Sequence, residues 1–116
     1  MTSGRQRLGR HGEDRAAAWY RRAGYEVLAR NWRCREGELD LIVARGDVLV
    51  VCEVKARSSL AYGHPAEAVT PAKQRRIRSL AARWLADADL AVRPASIRFD
   101  VAALLPGEVS IIEDAF

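Results

Sequence analysis

Apolar residues fall at helical spacing from about Arg5 to Ala23, where Leu8, Ala16, Trp19, Tyr20 and Ala23 recur on one face and Gly24 supplies a stop. Tyr25 to Trp32 then reads as a strand, followed by a polar connection from Cys34 to Gly37. Glu38 to Arg45 and Val48 to Arg57 are rich in β-branched and aliphatic residues with Gly46-Asp47 between them, the pattern of a β-hairpin. The run Val48-Leu49-Val50-Val51-Cys52 is apolar on both faces, as in a central strand covered from both sides. A loop is expected from Ser58 to His64. Thr70 and Pro71 then supply a cap and first turn for a helix to about Asp87, with Ile77, Leu80, Ala81, Trp84 and Leu85 as its apolar stripe. Pro94 precedes a strand from Ser96 to Leu104, and Val109 to Ile112 reads as a last short one. The order αβββαβ(β) predicts an α/β layer sandwich around a mixed central sheet.

No repeat or linker divides the 116 residues, 49% of them apolar, so a single domain over 1–116 is expected. Cys34 and Cys52 form no CxxC pair, and His11 and His64 have no partners at ligand spacing, which argues against a disulfide framework and a zinc site. The charged N-terminus and the absence of a long apolar run predict a cytoplasmic protein with no membrane partner. The net charge of +4 is uneven: residues 1–85 hold 17 basic and 9 acidic side chains, against 2 and 6 in residues 86–116. The first three quarters of the chain therefore suit a polyanion. Arginine outnumbers lysine 17 to 2, which reads as a compositional bias.

Hairpin register brings the candidate chemistry together. A two-residue Gly46-Asp47 turn pairs Arg45 with Val48 and, by the same register, sets Asp40 opposite Glu53 and Glu38 opposite Lys55. Opposed like charges on one sheet face repel, so two carboxylates at the end of an apolar strand call for a cation. Magnesium, which takes oxygen ligands and keeps several waters beside one or two carboxylates, suits Asp40 and Glu53. Lys55 projects to the same face as Glu53, placed to orient water or to offset charge developing on a phosphate. The bland alternative is a solvated patch of Glu38, Asp40, Glu53 and Lys55 at a strand end.

Asp40 followed by Glu53-x-Lys55 resembles the core of the PD-(D/E)XK nucleases. The segments GRHGEDRAAAWYRRAGYEVLARNWRCREGELDLIVA, VVCEVKARSS, YGHPAEAVTPAKQRRIRSLAARWL and RFDV resemble the YraN-like family of small bacterial proteins, related to archaeal Holliday junction resolvases, over about 100 of 116 residues. Leu39 stands where the superfamily pattern has proline. The resemblance implies a restriction-endonuclease-like three-layer sandwich, metal ligation by Asp40 and Glu53, a catalytic role for Lys55 and a supporting, metal-site carboxylate at Glu13. Related nucleases place a glutamine or lysine near the site from the second helix, and Gln74, on the apolar side of that helix, is the candidate. Lys73, Arg75, Arg76 and Arg83 are the expected phosphate contacts. Asp100 matches the family pattern, with a hydrogen bond or buried ion pair as its expected role.

These features predict a Mg2+- or Mn2+-dependent endodeoxyribonuclease acting on branched or structured DNA. Related resolvases act as dimers, and the sequence leaves a homodimer open. Two rivals stand beside it: a non-catalytic nucleic-acid-binding scaffold that keeps the fold, and a protein that docks a partner through its hairpin or acidic C-terminal segment.

Overall fold

The computed structural model describes the backbone of residues 4–56 and 69–116, and side chains from Gly12 onward within those ranges. The expected loop Ser58–His64, the Leu8 side chain and Arg57 lie outside the described residues. The elements run α1 (Gly4–Arg22), β1 (Glu26–Cys34), β2 (Gly37–Arg45), β3 (Val48–Ala56), α2 (Pro71–Asp87), β4 (Ser96–Leu105) and β5 (Glu108–Ile112). The strands form one sheet in the order β1-β2-β3-β4-β5. β3 and β4 are parallel and the other neighbours antiparallel, so the sheet is mixed. A parallel pair needs a crossover, and α2 lies within it.

The hairpin turn is the two-residue one: Arg45 pairs with Val48, and the ladder runs to Leu41 opposite Cys52. Gly46, at φ +60°, takes the left-handed conformation that a Gly-first turn of this length requires. α2 begins as its sequence dictates, with Thr70 accepting a hydrogen bond from the Lys73 N–H and Pro71 in the first turn.

Helices cover both faces of the sheet, giving a three-layer α/β sandwich. On one side Ala16, Ala17 and Tyr20 of α1 pack with Leu41, Val43, Val50 and Cys52. On the other, Ile77, Leu80 and Ala81 of α2 pack with Leu39, Ile42, Leu49 and Val51. β3 is thus buried from both sides, as its apolar run requires. In β2 the alternation breaks: Leu39 and Leu41, two residues apart, end in different clusters, and the residue between them is Asp40.

Asp100 is fully buried and accepts hydrogen bonds from the Tyr20 hydroxyl (2.6 Å), from Arg98 Nε (2.9 Å) and Nη2 (3.0 Å), and from the Asp114 N–H (3.0 Å). It ties α1, β4 and the C-terminal segment together, which is the structural role expected of it. Burial is the main reason the Tyr20 hydroxyl is held far above its ordinary pKa. Among the described residues, no helix is long and apolar enough to cross a membrane.

Candidate functional site

Asp40 lies where β2 and β3 part, in a cleft that the first turns of α2 also line. The β2–β3 ladder stops at Leu41 opposite Cys52, although both strands continue, and the Asp40 carboxylate takes over the next bond by accepting the Val54 N–H at 2.9 Å. A side chain in place of the ladder bond holds Asp40 at the mouth of the splay, on the row that Glu53 continues. Glu38 does not follow the hairpin register to Lys55. It pairs across β1 with Arg33, whose Nε lies 3.0 Å from Glu38 Oε2, because the β2–β3 ladder has already ended.

Glu53 is the hub of the site. Its Oε1 lies 2.8 Å from Lys73 Nζ of α2 and 3.4 Å from Lys55 Nζ of β3, with only 11% of the Glu53 side chain exposed. The second helix therefore contributes Lys73 rather than Gln74, whose amide turns back to donate to the Val69 carbonyl at 3.0 Å and so closes the entry to α2. The stem of Lys73 spans the gap from the first turn of the helix to the strand end, carrying its ammonium to the carboxylate. One signal for this was present in the sequence: a chain with 17 arginines keeps two lysines, and both sit on Glu53. A compact ammonium shares a single carboxylate oxygen more readily than a planar guanidinium fork does.

Burial, with the Glu53 charge next and those of Glu13 and Glu38 behind it, pushes the Asp40 carboxyl up to about 7 against the pull of the Val54 N–H. Burial and the neighbouring Lys73 hold Lys55 below the usual lysine range, with Glu53 opposing them. Burial depresses Lys73 too, but its bonds to Glu53 and Lys55 raise it overall. Glu13 sits on α1 at 9% exposure, and burial raises its pKa while a hydrogen bond from Asn31 Nδ2, 2.5 Å from Oε2, opposes the rise.

The cleft beside these groups is lined by Gly37, Asp40, Glu53, Lys73, Arg76 and Ile77, among others. Arg75 and Arg76 are exposed on α2, whereas Arg83 is drawn away to an ion pair with Glu36 in the β1–β2 turn. Among the described residues, no three His, Cys, Asp or Glu side chains converge as a ready-made ligand set. Among those residues Asp40 and Glu53 stand as a pair, with Glu13 acting on Asp40 through charge. Two hard oxygen donors still suit magnesium or manganese, which commonly bind through one or two carboxylates and complete their shell with water and substrate phosphate. A separate hollow at the turn end of β2 and β3, lined by Leu28, Leu49, Leu90 and Val92, holds a single acid, Glu26.

Similarity to known proteins is extensive. The chain is 52% identical over 114 residues to a UPF0102 protein of Rhodococcus jostii (strain RHA1), covering 94% of this chain and 95% of the relative. It is 54% identical over 98 residues to one of Beutenbergia cavernae, covering 84% and 81%. It is 58% identical over 94 residues to one of Frankia casuarinae, covering 81% and 78%. The profile described as uncharacterised protein family UPF0102 matches residues 12–104, a span that holds Glu13, Asp40, Glu53, Lys55 and Lys73, and the chain belongs to that family.

Proposed function

We propose that this protein is a metal-dependent nuclease of the PD-(D/E)XK kind that hydrolyses phosphodiester bonds in branched or structured DNA. The observation that carries this reading is that Asp40 and Glu53 line one cleft with Lys73 while Lys55 also lies on Glu53, and that burial and then the Glu53 charge push the Asp40 carboxyl up to about 7. A divalent cation there supplies the charge that polarises a phosphate and activates water. Asp40 and Glu53 are the groups to hold it. Lys55, tethered at the end of β3 and depressed by burial, faces the attacking water or the charge that develops on the phosphate. Lys73 occupies the carboxylate as a monovalent cation and is positioned, with Arg76 on the cleft wall, to take a phosphate when Glu53 turns to a metal.

One observation favours a second reading. Glu53 already has two ammonium partners, which is also what a non-catalytic nucleic-acid-binding module with a closed ion-pair cluster would contain. A cleavage panel separates the two: single-stranded, duplex, flap and four-way-junction DNA, each with magnesium, manganese or chelator. Metal-dependent cutting of any member supports the nuclease; binding without cutting supports the module.

Binding itself should be strongly salt-dependent, since Arg75, Arg76 and the rest of the basic surface act by releasing counterions from phosphates. For four to six neutralised phosphates the slope of log K against log salt is about −4 to −5. Charge reversal at Arg75, which is exposed on α2 and not among the residues that line the cleft, should make that slope shallower and leave metal affinity unchanged. A slope near zero in the parent protein would remove nucleic acid as the ligand.

A further inference from the structure

We infer that Asn31 is a positioning residue of the metal site, holding Glu13 toward Asp40 by a side-chain hydrogen bond from a left-handed point in β1. The inference deepens the proposed nuclease function and rests on that reading.

In the β1–β2 ladder Arg30 pairs with Leu41 and Trp32 with Leu39, so Asn31 and Asp40 face one another where no pair forms between them. Asn31, Asp40 and Glu53 fall on one row when the two registers are continued by one residue, and along it the β1–β2 ladder skips a pair while the β2–β3 ladder ends. Asn31 has φ +52°, a conformation that an ordinary side chain inside a strand avoids and that asparagine and glycine tolerate best. Among the described residues it shares this property with one other non-glycine residue, Asp114, whose N–H serves Asp100. Strained backbone of this kind persists where the surroundings demand it, and it clusters at functional sites.

The contact it secures is directional. Asn31 is exposed, yet its amide reaches the buried Glu13 carboxylate, whose charge is felt by Asp40. Docking of α1 on the sheet rests on the apolar contacts of Ala16, Ala17 and Tyr20, and the neighbouring pair Arg30 with Asp14 links α1 to β1 beside this bond. With packing accounted for in that way, what Asn31 adds is aim: it fixes the Glu13 carboxylate on the side of the acidic pair, where it can order water around a cation held by Asp40 and Glu53. Such outer groups tune metal affinity by about 10–100-fold.

The test uses the full chain and Mn2+ alone, titrated calorimetrically at fixed pH, for the parent and for Asn31→Gly, Asn31→Asp, Glu13→Gln and the double variant Asn31→Gly/Glu13→Gln. Glycine keeps the left-handed backbone and deletes the amide, so the chain should still fold, with a modest drop in melting temperature in chelator from the unpaired Glu13 carboxylate, while Mn2+ affinity falls by about 10–100-fold. Glu13→Gln should fall to a similar degree, and the double variant no further than the weaker single one, because one interaction has been removed twice. Asn31→Asp also keeps the backbone but loses the donor. It should weaken Mn2+ binding despite its added negative charge, whereas a residue that merely sits near the site would strengthen it. Parental affinity in Asn31→Gly, tighter binding in Asn31→Asp or multiplying losses in the double variant would each overturn the role of Asn31 and leave the nuclease reading standing. A parent that binds no Mn2+, or an Asp40→Asn variant that binds it as well as the parent, would overturn that reading and this inference with it.

Discussion

Asp40→Asn should be more stable than the parent at pH 8 when no metal is present, although it removes a charged group from the centre of the site. The carboxyl is raised from 3.8 to about 7, chiefly by burial and then by Glu53. At pH below about 4 both the folded and the unfolded chain hold the proton. As pH rises from there toward 7 the unfolded chain releases it while the folded chain keeps it, so this group's contribution falls with rising pH and levels off above 7. The full difference corresponds to up to about 4 kcal/mol. Asparagine keeps an oxygen to accept the Val54 N–H and has no proton to lose, so the variant should show a flatter stability profile between pH 5 and pH 8. Denaturant titrations of both proteins in chelator across that range are the check. A variant less stable than the parent at pH 8 would mean that Asp40 is the partner of a cation rather than the rival of Glu53. A divalent ion reverses the sign by stripping the proton from Asp40, so parental Mn2+ affinity should rise between pH 6 and pH 8.

Lys55→Ala should lower the rate of metal-dependent cleavage by a hundredfold or more, about 2.7 kcal/mol of transition-state stabilisation, with DNA and metal affinity nearly unchanged. The variant is expected to fold, because Glu53 retains the closer of its two ammonium partners, Lys73 at 2.8 Å. Removing Lys55 therefore strands no buried charge. Single-turnover cleavage at saturating metal measures the chemical step apart from binding. Unchanged turnover would take Lys55 out of the reaction.

The sequence carried most of the fold because its local signals agreed with one another. Gly46-Asp47 permitted one short turn, and the register it set holds through Leu41 opposite Cys52. Thr70 and Pro71 marked the start of α2, and the double-sided apolar run of β3 placed that strand between two layers. What the sequence hid arises where side chains replace regular backbone bonding. Asp40 ends the ladder by taking the Val54 N–H, so a register extrapolated past it sends Glu38 to Lys55 when its partner is Arg33. Nothing in the pattern of β1 marks Asn31 as left-handed, since its neighbours read as ordinary strand residues. Lys73 was hidden by its charge: it lies four residues before Ile77, on the same stripe as Gln74, but sits in a run of basic residues that resembles a solvated face. Only the distances to Glu53 show that this helix end turns a lysine inward and a glutamine back on its own entry.

The most direct measurement of the metal site needs no substrate: thermal melts of the parent and of Asp40→Asn, each with chelator and with excess Mn2+ at pH 8. A ligand that binds only the folded chain at a hundred times its Kd stabilises it by about 2.7 kcal/mol, roughly 10 °C for a domain of this size. The parent should gain that increment in Mn2+ and Asp40→Asn should lose most of it, while melting at or above the parent in chelator. A parent that melts at the same temperature with and without Mn2+, joined to a variant that melts lower in chelator, would contradict the account and leave Asp40, Glu53, Lys55 and Lys73 as an ordinary ion-pair cluster.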